Sequence, residues 1–390
     1  MNDVWSRRLG WEAEAVYRAR VRGCLLGGAI GDALGYPIEF DSLDRIRAAH
    51  GPRGVTGLVP DGDGVVGRVS DDTQMTLFTV EGLGQAHARE RRKGIGGGAP
   101  RLVRWAYERW LETQRKPGPG VSATAAAPAG APAHNSGAYA GPTGAPAHDS
   151  GTYAGPTGGL AAQAWLYARR APGNACLSGL ERDHVPDPML ALGPPGAVNP
   201  DSKGCGGVMR SAPFGLAPAS EDFAFGLAAR CAQMTHGHPT GYYAAGALAA
   251  MVVHLVAGES VESAVLRALR LLARYPGHEE TAVALRRALD LADEGDPSAE
   301  KVERLGAGWI AEEALAIAVY CALAGPRVTD ALLLSVNHSG DSDSTGAICG
   351  NLLGARYGDH GLPWEWLERV EGRAQIAALA DDFATECARR

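Results

Sequence analysis

Two short runs of carboxylates and hydroxyls, far apart in the chain, carry the densest chemistry in this sequence. Ser70-Asp71-Asp72-Thr73 stands before an apolar stretch at 75–83, and His338-Ser339-Gly340-Asp341-Ser342-Asp343-Ser344-Thr345-Gly346 stands before another at 347–357. Asp, Ser and Thr cap helix N-termini by accepting from free amides, and one cap accounts for one residue in each run. Capping does not account for two carboxylates with flanking hydroxyls at both places, because adjacent anions repel unless a cation neutralises them. Oxygen donors without His or Cys select a hard ion, Mg²⁺ or Mn²⁺, with Ca²⁺ also open. The twelve-residue ligand spacing of an EF-hand is absent. If the two runs meet in space, four carboxylates and the hydroxyls suffice for a pair of ions. Capping and turn formation stay open as the alternative.

A third place of interest is Lys203-Gly204-Cys205-Gly206-Gly207, ahead of Val208-Met209-Arg210. Successive glycines expose backbone amides without side-chain bulk, so an anion such as a diphosphate can approach closely. The same pattern also builds ordinary turns. Arg210 reads equally as a phosphate clamp or as half of a buried ion pair.

The elements that must position these groups are helical. Residues 242–256 are apolar on nearly every face, as in a buried helix. The stretch 261–274 carries Val261, Val265, Ala268, Leu269 and Leu272 on one stripe, and 279–291, 303–323 and 364–388 read the same way. Period-two runs are almost missing; residues 65–69 are the best candidate strand, broken by Gly67. The pattern predicts an all-α fold in one globular domain spanning 1–390. Within it, 117–159 is a Pro/Gly/Ala-rich insertion holding a 14-residue tandem repeat, GAPAHNSGAYAGPT followed by GAPAHDSGTYAGPT. Two copies without an apolar face do not make a solenoid, so a duplicated flexible loop is expected.

Composition narrows the function classes. The chain has 390 residues, 45% hydrophobic and only 6% aromatic, with 53 glycines, so the core must be built from small aliphatics and close backbone approaches. A net charge of −7 argues against a nucleic-acid surface, and the basic run 89–93 reads as a solvated helix end. Seven scattered cysteines without a C-x-x-C pair suggest neither a disulfide framework nor a zinc site. The polar N-terminus does not read as a secretory signal, and the apolar stretch 244–256 is too short to span a bilayer. A cytoplasmic protein without a membrane partner is expected; the oligomeric state is not legible.

Six ordered motifs together resemble the ADP-ribosylglycohydrolases, the family that includes the dinitrogenase-reductase-activating glycohydrolases and the ADP-ribosylhydrolases. They are GCLLGGAIGDALGYPIEF (23–40), SDDTQMTL (70–77), RRAPGNACLSGL (169–180), KGCGGVMRSAPFGL (203–216), THGHPTGYYAAGALA (235–249) and NHSGDSDSTGAICGNLLGA (337–355). The resemblance implies a compact orthogonal multi-helix bundle with a central dimetal cleft, and hydrolysis of ADP-ribose conjugates using two Mg²⁺ or Mn²⁺. It places the metal ligands at Ser70, Asp71, Asp72, Asp341, Asp343 and Ser344, with Thr345 as a helix-start residue. Glu39 takes the position of a glutamate with gating or acid–base duty over the metals. Asp32 is a candidate in the same motif, as a structural cap or as a partner of the site.

By the same resemblance the phosphate loop is Ser202, Lys203, Gly204, Gly206 and Gly207, and His236 contacts ADP-ribose, whereas His238 reads as a helix cap or a solvent residue. Asn174 and Ser178 line the cleft, with turn chemistry as their alternative. Two departures stand out. Cys205 occupies a position where relatives often carry asparagine, and the repeat replaces a loop that in many relatives supplies a substrate-facing aspartate. The implied substrate is an ADP-ribose-bearing molecule, foremost a protein modified on arginine. Serine-linked or O-acetyl-ADP-ribose, an immunity role against an ADP-ribosylating toxin, and a non-catalytic ADP-ribose binder are the other readings.

Overall fold

The structure, a computed structural model, describes residues 11–120 and 159–388; the 14-residue repeats lie outside the described residues. Among the described residues fifteen α-helices run in chain order: α1 (Trp11–Gly35), α2 (Leu43–His50), α3 (Asp71–Lys93), α4 (Ala99–Thr113), α5 (Asn174–Leu180), α6 (Glu221–Ala232), α7 (Pro239–Val256), α8 (Val261–Leu272), α9 (Glu279–Asp293), α10 (Ala299–Glu303), α11 (Ala311–Ala324), α12 (Val328–Val336), α13 (Ser342–Tyr357), α14 (Trp364–Leu367) and α15 (Arg373–Ala388). No β-strand occurs among the described residues, so the all-α expectation holds. The candidate strand at 65–69 is corrected: Gly67 has φ +79°, and only one bridge, Pro60 to Val66, forms there. A left-handed residue interrupts a ladder that has no second strand to extend it.

The helix expected over 303–323 begins only at Ala311, because Gly306 (φ +123°) and Gly308 (φ +82°) turn the chain after α10 ends at Glu303. The Glu313 carboxylate closes that turn by accepting from the Ala307 and Gly308 amides at 3.0 and 3.2 Å. The expected helix over 364–388 likewise breaks before Gly372 (φ +69°). At 89–93 the end of α3 is not wholly solvated. Arg91 grips Glu386 of α15 through two hydrogen bonds, at 2.6 and 3.0 Å.

Small residues decide the packing. Glycines recur every fourth position on α1 (Gly23, Gly27, Gly31, Gly35) and on α13 (Gly346, Gly350, Gly354), which puts each set on one helix face. The faces meet antiparallel. A Cβ on Gly23 would lie 2.4 Å from the Gly354 carbonyl oxygen, on Gly27 2.4 Å from that of Gly350, and on Gly31 1.9 Å from that of Gly346. At the far end, a Cβ on Gly35 would lie 2.3 Å from the Ser342 carbonyl carbon. This backbone-on-backbone seam delivers the C-terminal end of α1 to the N-terminal end of α13, where the second carboxylate run begins.

Around that seam lies a contiguous apolar core rich in Ala, Leu and Val. α7 is long and apolar enough by composition to cross a membrane, but 89% of its length is buried inside this protein. Its N-cap is His238, whose Nδ1 accepts from the Thr240 amide at 3.2 Å, so of the two readings, cap or solvent residue, it is the cap.

Candidate active site

Both carboxylate runs sit in the first turn of a helix. α3 starts at Asp71 and α13 at Ser342, each earlier than its apolar stretch suggests. Ser70 caps α3 by accepting from the Asp72 amide at 3.2 Å, and Asp341 caps α13 by accepting from the Ser344 amide at 3.3 Å. Capping therefore occupies one residue per run, leaving Asp71, Asp72 and Asp343 beyond what a cap requires. The two runs meet: the Ser344 hydroxyl donates to Asp72 Oδ1 at 3.2 Å. Asp341, Asp343 and Glu39 converge, each offering an oxygen within 4.8 Å of the others. Thr345 is a helix-start residue as expected. Its hydroxyl donates to the Ser335 carbonyl at 2.7 Å and stands 2.9 Å from His338 Nε2.

Asp32 caps the start of α3 from α1. From α1 its carboxylate accepts from the Ser70 amide at 2.9 and 3.0 Å, from the Thr73 amide at 3.1 Å and from the Thr73 hydroxyl at 2.5 Å. It thus holds the start of α3 in position from a second helix. Glu39 follows the turn Tyr36–Ile38 and is half-buried, with its Oε2 lacking any hydrogen-bond partner.

The electrostatics are lopsided. Asp32, Asp71, Asp72, Asp341 and Asp343 are all buried, and none of them, nor Glu39, makes an ion pair with Lys, Arg or His among the described residues. Burial, reinforced by the Asp343 charge, pushes Asp32 up to about 7. Burial and then Asp343, Asp341, Asp71 and Asp32 push Glu39 up to about 11. Asp71 and Asp72 are raised well above the usual carboxylate range by burial and then by the Asp343 charge, and Asp343 by burial and then by Asp341. Such a set takes up either protons or a cation. Asp72 Oδ2 and Glu39 Oε2 are buried and unpartnered. Orphaned carboxylate oxygens beside a serine hydroxyl are donors of the kind a hard divalent ion takes. The residues present therefore fit a metal.

The glycine loop lies beside this cluster. The Cys205 amide donates to the Trp309 carbonyl at 3.1 Å, Gly204 bridges to Ile310, and the Cys205 thiol donates to Asp341 Oδ2 at 2.7 Å. Packing explains part of the glycine content. A Cβ on Gly206 would stand 2.6 Å from Cys176 Sγ and 3.0 Å from His236 Cε1, and one on Gly207 would touch Ala232 at 3.4 Å. Ser202 and Gly204 are half-buried at the loop's start. The Lys203 ammonium is engaged by Glu280 at 2.9 Å and Glu312 at 3.2 Å, so its charge is already matched.

His236 lies beneath the loop and not at its surface. It is buried, its Nδ1 stands 2.7 Å from the Thr235 hydroxyl, and burial with nearby Arg210 drives it down to about 3, hence neutral. Arg210 is neither clamp nor ion-pair partner. It lies 4.6 Å over the Tyr107 ring and donates to the Thr235 hydroxyl at 2.6 Å. Asn174 and Ser178 are exposed on α5, which leans on the loop through Cys176; the Ser178 hydroxyl accepts from Asn199 Nδ2 at 3.2 Å.

Two features were missed in the sequence. One is the Cys205 thiol on a carboxylate of the cluster. The other is an aromatic pair, Phe40 and Trp309, stacked at 5.2 Å with rings 22° apart and both exposed, at 66% and 39%. Phe40 follows Glu39 and holds φ +73°, a costly conformation for a bulky residue; Trp309 follows Gly308, where a Cβ would be 3.3 Å from Asp341 Cβ. The residues themselves, a cysteine among glycines and a phenylalanine directly after Glu39, were visible in the sequence; their juxtaposition with the site was not.

The chain belongs to the ADP-ribosylglycohydrolase family, whose model matches residues 13–390, and it is a hydrolase of that class. Among individual relatives, the ADP-ribosyl-[dinitrogen reductase] glycohydrolase of Rhodospirillum rubrum is 24% identical over 92% of this chain and 95% of its own length. Human ADP-ribosylhydrolase ARH3 is 32% identical over 47% of this chain and 58% of its own length. A solved structure titled ADP-ribosylglycohydrolase-related protein complex shares the fold, with a TM-score of 0.60 at 22% identity over 96% of this chain and 99% of that one.

Proposed function

We propose that this protein hydrolyses the glycosidic bond joining ADP-ribose to a modified acceptor, with protein arginine as the acceptor. The observation that carries the reading is the meeting of the two carboxylate runs under Glu39, with no Lys, Arg or His ion-paired to them among the described residues. Ser70, Asp71, Asp72, Asp341, Asp343 and Ser344 would hold two Mg²⁺ or Mn²⁺, which supply charge stabilisation at the anomeric centre and a more acidic water. The chain's own contribution is orientation. Asp32 fixes the start of α3 through four hydrogen-bond contacts, and the glycine seam fixes α13 against it. Glu39, which converges with Asp341 and Asp343 and has an unpartnered Oε2, is placed over the centre for acid–base assistance to the departing acceptor or for gating the site.

In this reading the loop at Ser202, Lys203, Gly204, Gly206 and Gly207 receives the diphosphate through its backbone, with His236 supporting it from below and Asn174 and Ser178 at the rim. The exposed Phe40–Trp309 pair supports arginine over serine as the acceptor, since a guanidinium stacks on aromatic faces and a serine hydroxymethyl does not. The relative ADP-ribosylarginine hydrolase Tri1 of Pseudomonas putida, 44% identical over 14% of this chain, is in keeping with that choice. The site of action is proposed to be the cytoplasm.

The test is release of free ADP-ribose from arginine-ADP-ribosylated protein with Mg²⁺, run beside serine-linked and O-acetyl substrates. Asp341→Ala and Asp343→Ala should abolish release and EDTA should stop it. Turnover undiminished in those variants or in EDTA would overturn the reading, and binding of ADP-ribose without any turnover would make the protein a binder.

A further inference from the structure

We infer that Cys205 makes this centre thiophilic: the thiol is positioned to join Asp341 in holding a soft divalent cation such as Cd²⁺ or Zn²⁺ alongside the hard-ion ligands. The inference rests on the reading of the carboxylate cluster as a metal site. Cys205 Sγ lies 2.7 Å from Asp341 Oδ2, a separation at which one ion reaches both atoms after a small adjustment. The thiol is held there by the backbone, since the Cys205 amide bonds to the Trp309 carbonyl at 3.1 Å and the following residues form a tight turn.

A second observation points independently to a ligand. Asp72 is 2% exposed, its Oδ2 has no hydrogen-bond partner, and its other oxygen takes the Ser344 hydroxyl. A buried carboxylate oxygen without a partner is costly and marks a place where an ion belongs. The remaining six cysteines, Cys24, Cys176, Cys231, Cys321, Cys349 and Cys387, are buried, whereas Cys205 is half-exposed. Sulfur ligands favour softer ions, whereas carboxylates and hydroxyls alone favour Mg²⁺ and Mn²⁺. On coordination the S–H bond is replaced by a sulfur–metal bond and one proton leaves to solvent, so no oxidant or reductant is required.

The experiment titrates Cd²⁺ into the full, metal-stripped chain and reads thiolate-to-metal charge-transfer absorption in the ultraviolet. The wild type should show a saturating band from one thiolate. Cys205→Ser and Cys205→Asn should lose the band and bind Cd²⁺ at least about tenfold more weakly, while still binding Mn²⁺ by paramagnetic resonance. A measurement on the wild type alone guards against misfolded variants. In the native protein a single thiol should react with a disulfide reagent, and Cd²⁺ should protect it. A band of equal strength in Cys205→Ser, or no band and no protection in the wild type, overturns the inference. If Mn²⁺ binds the wild type while the Cd²⁺ band is missing, only the role of Cys205 falls; if neither ion binds, the metal reading falls with it.

Discussion

Replacing Gly31 by alanine tests whether the glycine seam positions the site. The added Cβ would stand 1.9 Å from the Gly346 carbonyl oxygen and 2.3 Å from its carbon. Ordinary contact needs about 3.5 Å, so α1 and α13 would have to separate by roughly 1.5 Å. Both walls are backbone, and no side chain can rotate away. Overpacking of this kind costs about 3 kcal/mol at the upper end of its usual range, offset by about 1 kcal/mol of gained helix propensity, for a net loss of about 2 kcal/mol. The same displacement moves Asp341 and Asp343 relative to Asp32 and the α3 cluster. A misplacement of about 1 Å is enough to cost about a hundredfold in rate. Denaturant unfolding and Mn²⁺ titration, on Gly31→Ala and on Gly62→Ala as control, read the two effects. Gly62 is exposed with open space around its would-be Cβ, so its variant should stay within about 0.5 kcal/mol of wild type. Wild-type stability together with wild-type Mn²⁺ affinity in Gly31→Ala would refute the reasoning.

Three other outcomes follow from the same geometry. Asp72→Asn and Asp343→Asn remove one buried like charge each, so the metal-stripped variants should unfold no earlier than wild type, yet lose the roughly 2.7 kcal/mol that an ion at a hundred times its Kd would add; calorimetry with and without Mn²⁺ checks both halves. Metal-stripped protein should lose stability as pH rises. Asp32 goes from 3.8 to about 7 on folding, so the native state holds the extra proton between those values and its stabilisation disappears as pH climbs through about 7; Glu39, raised to about 11, extends the loss to higher pH. Saturating Mg²⁺ should flatten that slope in urea melts, and a flat profile without metal would count against the buried anionic cluster. Trp309→Ala should raise KM for arginine-linked substrate by a factor of about 2 to 5, the worth of a partly exposed cation–π contact, and leave serine-linked substrate unaffected.

The helical class was legible because 3.6-residue periodicity is a local property, and α7, α8 and α9 appear where the apolar stripes put them. The helix interruptions at Gly306, Gly308 and Gly372 were not, since an isolated glycine does not disclose whether its φ is positive. Capping arithmetic singled out both carboxylate runs, and the structure keeps that distinction, with one cap in each run and carboxylates to spare. Residue type alone left Asp32 and Arg210 undecided. Their roles depend on partners from other helices: Thr73 and Ser70 for the one, Tyr107 and Thr235 for the other.

By itself, the sequence determined which atoms are available: acidic oxygens in two helix starts, small residues at every fourth position, and a glycine loop carrying one thiol. Only the tertiary structure decided that these share a place. Contacts between residues hundreds of positions apart come from the packing of α1 on α13, and that packing depends on surfaces with no side chain in between. Through it Ser344 reaches Asp72, while the pairing of the glycine loop with Trp309 and Ile310 brings Cys205 to Asp341.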